Sequence, residues 1–369
     1  MRYGILGSGM MGQEHIRNIA LVDGAEVTGL VEPDPGMRAR SEALAPRARS
    51  FASLEDMLLG DHIDALVIAT PNDQHLGELE RVAAARPLPV LVEKPLYTQA
   101  GERARIEALA RDYPAPIWVA MEYRYMPPIQ RFLATAQAAT GGIKMLTIRE
   151  HRFPFLEKVG DWNRFNTRTG GTLVEKCCHF FDLMRLALGD EPVRVTASGG
   201  QAVNHVAERY SGAQPDIWDH AYVIVEFAGG ARAMLDLCMF AEGARYQEEI
   251  TAAGPEGRIE ARVPGPGRFW PASLGPAPVA DLRVAPRQFG REATEPPRQI
   301  EIPVDPALLE AGDHNGATFY QHQRFLAAIQ AGTEPEVSLA DGMAAVRMGL
   351  AAQAASIEAR VIDLADWPG

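Results

Sequence analysis

Glu175, His179 and Asp182 follow Thr172 at spacings of three or four residues. On a helix, side chains so spaced are neighbours on one face. An imidazole with an ordinary pKa of about 6.5 suits proton exchange with a hydroxyl near neutral pH, and the adjacent Glu175 can orient or tune it. Lys94 stands between a short apolar run and Pro95. Held at the carboxyl edge of an open α/β sheet, where ligands bind, its ammonium would stabilise a developing alkoxide or polarise a carbonyl. Glu175, His179 and Asp182 could in principle hold a divalent ion. Because Lys94 already supplies the positive charge, no metal is expected.

The spacing predicts one helix over 172–188, with Leu173, Cys177, Phe180, Met184 and Leu188 as its core-facing stripe. The polar face opposite is then either solvated or the lining of a crevice between domains.

A second constellation lies at the N-terminus, where Gly7-x-Gly9-Met10-Met11-Gly12 separates a strand pattern at 3–6 from a helical one. Gly7 permits a tight turn, Gly9 lets backbone approach a pyrophosphate, and Gly12 allows close helix packing. The helix N-terminus then offers free N–H groups and its positive dipole end to the phosphates. Glu32 ends the second strand, 20 residues beyond Gly12. There it can accept ribose hydroxyls and repel a 2′-phosphate, which favours NAD over NADP. Arg38 and Arg40 nearby leave NADP possible.

The elements that must position these groups come in two kinds. Up to residue 121, apolar runs at 3–6, 26–31, 65–69, 90–92 and 117–121 alternate with helical patterns from about 11, over 37–44, from about 74 and over 100–111. Alternation of this kind predicts a parallel Rossmann sheet of at least five strands. After a helix near 129–138, strand-like runs at 144–151, 193–199, 221–227, 231–239 and 247–252 follow mostly without helices between them. They predict an α+β domain with a largely antiparallel, open-faced sheet. Proline and glycine crowd 264–303, which suits a long irregular excursion. Helical periodicity resumes from 317 and again over 343–355. The expected domains are 1–122 for the cofactor and 123–369 for substrate and oligomerisation, with the option that the C-terminal helices pack back on the first.

At 369 residues the chain suits two domains, on a rough prior of 100–200 residues each. A net charge of −12 disfavours nucleic acid and anionic lipid as partners. No apolar stretch reaches the roughly 18 residues of a membrane span, and the first residues enter a strand pattern without a leader-like pattern. Cys177, Cys178 and Cys238 show no paired spacing, so a cytoplasmic location is expected.

Several segments together resemble the Gfo/Idh/MocA oxidoreductase family. They are Ala69-Thr-Pro-Asn72 with His75, Glu93-Lys-Pro95, the run from Gly170-Gly171 into Glu175-Lys-Cys-Cys-His179-Phe-Phe-Asp182, and Phe325, Gly332, Pro335 and Ser338 near the end. The resemblance implies NAD bound by Gly7, Gly9, Met10, Met11, Gly12, Glu32, Thr70, Pro71, Asn72, His75, Glu93 and Lys94. It implies Lys94, Glu175 and His179 as the catalytic set, although many members carry aspartate where Glu175 stands, and Lys176 is a second departure. Tyr123 and Arg124 resemble residues near the family's substrate pocket; Trp162, Arg164, Tyr320, His314 and His322 are weaker candidates. The implied reaction is oxidation of a secondary hydroxyl on a sugar or cyclic polyol by hydride transfer to nicotinamide, in a homodimer or homotetramer formed through the C-terminal sheet. Two rivals remain at this point, a glycosidase using transient oxidation and a silent dinucleotide-binding regulator.

Overall fold

The computed structural model describes residues 1–288 and 296–367. The first part of the chain builds a sheet from β1 (Arg2–Leu6), β2 (Glu26–Val31), β3 (Arg49–Ser50), β4 (Ala65–Ile68), β5 (Val90–Val92) and β6 (Ile117–Val119). All six pair in parallel, in the order β3-β2-β1-β4-β5-β6. Every residue of β4 and β5 is buried, the unbroken apolar pattern of strands covered on both faces. The carboxyl ends of β1, β2, β4 and β5 deliver Gly7, Glu32, Thr70 and Lys94 to one edge of this sheet.

The second sheet has nine strands: β7 (Met145–His151), β8 (Pro192–Gly200), β9 (His220–Phe227), β10 (Arg232–Cys238), β11 (Glu248–Ala253), β12 (Gly257–Val263), β13 (Asp281–Pro286), β14 (Arg298–Glu301) and β15 (Ile362–Asp363). Their order is β14-β13-β12-β11-β7-β10-β9-β8-β15. Only β7 and β10 pair in parallel; the other pairs are antiparallel. Burial alternates along β10, β11 and β12, so one face is core and the other carries polar side chains.

Three sequence expectations need correction. Residues 257–263 form β12, a strand disguised by Gly257 and by the arginines and glutamate of its outer face. The stretch 264–303 holds two strands, β13 and β14, with residues 289–295 outside the described ones. β14 is an exposed edge strand and Pro286 sits at the end of β13, so neither shows the apolar signal of a central strand. Residues 172–188 are two helices, Thr172–Glu175 and Cys178–Leu188, joined by a turn at Lys176 and Cys177. The N–H of Cys177 reaches back to the Thr172 carbonyl, 3.4 Å away. The turn carries Lys176 to Glu150 on β7, at 2.8 Å. From Thr172 to Met184 every residue is buried, which removes the solvated alternative for the polar face.

The last helices return to the first sheet. Helix Ala317–Ala331 lies against helix Met10–Ile19, and Leu339–Ile357 against β6, β8 and both helices of the 172–188 segment. Gly349 is required by that contact, since a Cβ there would stand 2.4 Å from the Leu173 carbonyl oxygen.

Candidate active site

The glycine loop after β1 is shaped by close approach. Gly7 has φ +81° and a Cβ on it would lie 2.8 Å from the Ala69 oxygen, while one on Gly12 would lie 2.3 Å from the Gly7 oxygen. A Cβ on Gly9, by contrast, would meet nothing within 4 Å. Gly9 caps helix Met10–Ile19 without a side-chain acceptor, which leaves that N-terminus available to an anion. Glu32 lies across the loop, accepting from the N–H groups of Ser8 at 2.6 Å and Asp34 at 2.9 Å. Arg38 turns to the Glu32 carbonyl.

Beyond β4, the Thr70 hydroxyl and the Asn72 amide nitrogen are buried without partners. His75 is wholly buried, its ring nitrogens 2.8 Å from the Pro95 carbonyl and 2.9 Å from that of Thr70. Burial pushes its pKa down. It therefore ties the Thr70 turn to the loop carrying Lys94, and its ring reaches no open surface. Glu93 is held similarly, accepting from His15 at 2.9 Å and from the Lys94 N–H at 3.1 Å. Burial opposes its charge, but the bond and charge of His15, with Lys94 beyond, hold its carboxyl below the usual range. His15 in turn meets His322 at 2.8 Å.

Lys94 donates its ammonium to the Glu175 carbonyl at 3.1 Å, which brings the two halves of the expected set together. Burial works against its charge, yet Cys178, Glu93, Glu175 and Glu122 leave its pKa raised. Glu175 keeps one carboxylate oxygen, Oε2, buried and unbonded. Burial raises its pKa against the pull of Lys94, Lys158, Arg164 and Arg152. His179 lies one turn on, 2% exposed, with Nδ1 buried and unbonded. Burial, then Lys94 and Lys176, drive its pKa well below the ordinary value, so the ring is neutral at pH 7. Tyr123 stacks flat beneath it, centroids 4.1 Å apart.

Other expected residues go elsewhere. Arg124 and Asp182 form a buried two-bond ion pair, with Arg124 also donating to the Glu336 carbonyl at 2.9 Å. Both are consumed by structure, and Asp182 is not aimed at the site. Tyr320 lines a separate groove with Tyr125, Pro127, Ile300 and Ile302. Arg164 is buried, its Nε 3.4 Å from Glu208, and remains within electrostatic reach of Glu175. Trp162 lies 5.9 Å from the Lys158 ammonium. His314 meets Glu14 at 2.7 Å and Glu122 at 3.6 Å. Among the described residues, those three gather ligand-type atoms within 4.8 Å of one another; Glu175, His179 and Asp182 do not. Sequence reasoning missed Lys158, Arg152 and the Glu14 and Glu122 pair. A lysine or arginine in a loop after a strand carries no periodic signal that separates it from a surface charge.

A parallel sheet with a glycine cradle, joined to a mixed sheet whose helices bring an acid and a neutral imidazole to its ligand edge, defines a dinucleotide-dependent oxidoreductase. Residues 1–121 match the family model described as oxidoreductase family, NAD-binding Rossmann fold, and residues 137–364 that of the C-terminal alpha/beta domain. The chain belongs to the Gfo/Idh/MocA oxidoreductase family. The inositol 2-dehydrogenase of Rhizobium meliloti (strain 1021) is 27% identical over 373 residues, covering 99% of each chain. That of Leifsonia xyli subsp. xyli (strain CTCB07) is 45% identical over 118 residues, 31% of this chain and 34% of that one, so the match spans about a third of that relative. A solved levoglucosan dehydrogenase, in complex with NADH and levoglucosan, shares the fold with a TM-score of 0.78 at 20% identity over 99% of each chain. Among the described residues, no helix is long and apolar enough to cross a membrane.

Proposed function

We propose that the chain oxidises a secondary hydroxyl of a sugar, sugar derivative or cyclic polyol, with Lys94, Glu175 and His179 as the catalytic set. The observation that carries this reading is the pair of orphaned buried atoms, Glu175 Oε2 and His179 Nδ1, beside an ammonium at the ligand edge of the sheet. Buried polar atoms are ordinarily bonded, and two left open on one segment beside an ammonium are acceptor sites that a bound hydroxyl could complete.

The residues fit NAD: the loop at Gly7, Gly9, Met10, Met11 and Gly12 would hold the pyrophosphate, Glu32 the ribose, and Thr70, Pro71, Asn72 and Glu93 the remainder. When bound, NAD supplies the hydride acceptor. His179, neutral, takes the proton of the substrate hydroxyl. The Lys94 ammonium stabilises the alkoxide as it forms, and Glu175 orients the hydroxyl and the imidazole. Lys94 lies on the first sheet and the other two beyond the second domain's start, so the division at 1–122 and 123–369 would place the reaction between the domains. Inositol 2-dehydrogenases among the relatives support a polyol substrate. The uncovered face of the second sheet, with Met145, Tyr222 and Ile224 exposed, supports a homodimer or homotetramer.

The test is a panel of polyols and sugars with NAD or NADP, read as reduced-cofactor absorbance. His179→Ala is expected to abolish turnover while cofactor affinity stays within a few-fold. Equal turnover in mutant and parent overturns the assignment.

A further inference from the structure

We propose that the hydroxyl substrate carries a carboxylate, as a sugar acid does, and that Lys158 receives it. This rests on the reading above, since it names the class of polyol that the same site takes.

The cations around Glu175 are unequal. Four of them, Lys94, Lys158, Arg164 and Arg152, act on its carboxylate. Three are answered by other groups. Lys94 donates to the Glu175 carbonyl, Arg152 pairs with Glu150 at 3.4 Å, and Arg164 pairs with Glu208 at 3.4 Å. Lys176, the fifth cation near His179, pairs with Glu150 at 2.8 Å. Lys158 makes no hydrogen bond or ion pair with any described residue. Its only close partner is the face of Trp162, 5.9 Å from the ammonium.

Lys158 is half-buried, so its ammonium is partly withdrawn from water without a fixed protein acceptor in exchange. The titratable groups that act on Lys158 are Glu175 and Glu93, which favour its charge, and Lys94 and Arg152, which oppose it; burial outweighs them and its pKa falls. An incoming carboxylate would offset the burial penalty and the repulsion by pairing with the charge. A neutral polyol would leave the ammonium unanswered. One unpaired ammonium matches the single charge of a carboxylate; a phosphate, with nearly two, would ask for donors that the neighbouring arginines have already committed.

The experiment compares matched neutral and acidic substrates, glucose with glucuronate and galactose with galacturonate, in the parent, Lys158→Gln and Lys158→Arg. In the parent, kcat/KM is expected to favour the acid by about 10- to 100-fold, the scale of a hydrogen-bonded charge pair. Lys158→Gln should bring the ratio to near one, and Lys158→Arg should restore most of it. Binding is read independently by titration calorimetry with gluconate: saturable and salt-sensitive in the parent, lost in Lys158→Gln. If neutral polyols are turned over as well as the acids, this inference fails and the dehydrogenase reading stands. If gluconate binds through Lys158 but no hydroxyl compound reduces the cofactor, the anion site stands and the dehydrogenase reading fails. A sugar phosphate preferred over the matched acid overturns the carboxylate assignment.

Discussion

The imidazole of His179 lies flat on the ring of Tyr123, with centroids 4.1 Å apart and planes 9° from parallel. The Tyr123 hydroxyl meanwhile accepts from Lys176, whose ammonium also sits 4.6 Å from the same ring. The ring thus fixes the plane of the imidazole, and the hydroxyl takes part in the charge network beneath it. Tyr123→Phe, which keeps the surface, should cost little in kcat. Tyr123→Leu, which removes it, should lower kcat by roughly 10- to 100-fold, the scale of a misplaced catalytic group. The KM for NAD should not move in either variant; initial rates at varied NAD and saturating hydroxyl substrate read both parameters.

The pH dependence of oxidation follows from the directions of three shifts. His179 is pushed well below its ordinary range, so the proposed base stays neutral as the pH falls through 6.5. Lys94 is raised, so its charge persists through the alkaline range. Glu175 is raised above the ordinary carboxylate range by burial. The acid limb of kcat/KM should therefore follow Glu175 and not a histidine of ordinary pKa. In Glu175→Gln that limb should disappear, leaving any residual limb at lower pH. A pH profile unchanged by this substitution would remove Glu175 from the site.

Much of this arrangement was legible in the sequence, and the exceptions share a cause. The glycine loop, Glu32, Lys94, Glu175 and His179 are readable because each sits at a fixed offset from a strand end or along a helix. Arg124 stood out by family resemblance and Asp182 by its place on the polar helix face. Their mutual ion pair is a contact between residues 58 apart, which no local pattern encodes. Lys158 and the Glu14 and Glu122 partners of His314 were hidden likewise, since their environments come from segments far apart in the chain. β13 and β14 were hidden because edge strands bury too little to leave an apolar alternation.

Asp182 is a structural residue by this geometry, and its replacement separates folding from chemistry. In Asp182→Ala the Arg124 guanidinium loses its buried carboxylate. Loss of one partner of a buried pair costs about 3–5 kcal/mol, which denaturant unfolding would read. Per folded molecule, kcat should change little. A large loss of kcat in protein of undiminished stability would give Asp182 a part in the chemistry.

His314 offers a second stability test. Glu122 and Glu14, overcoming burial, raise its pKa to about 9. A group bound more tightly to its proton in the folded state stabilises fully below its unfolded pKa, about 6.5. That contribution is lost as the pH rises through about 9. The unfolding midpoint of the parent should therefore fall between about pH 6.5 and 9 more steeply than that of His314→Gln. Parallel curves would show that His314 does not carry the charge.

Gly9 and Gly12 stand three residues apart in one loop, and their alanine variants should behave oppositely. A Cβ on Gly12 would overlap the Gly7 oxygen at 2.3 Å, and Gly7 cannot retreat freely because its N–H donates to Val31 at 2.9 Å. Gly12→Ala should therefore lower thermal stability even without cofactor. A Cβ on Gly9 meets nothing within 4 Å, so Gly9→Ala should fold as the parent does. The added methyl nevertheless occupies the open side where backbone would approach a pyrophosphate. The Kd for NAD, measured by titration calorimetry, should rise by roughly tenfold or more, which is about 1.4 kcal/mol or greater. Unchanged affinity in Gly9→Ala would mean that the cofactor does not pass over this loop.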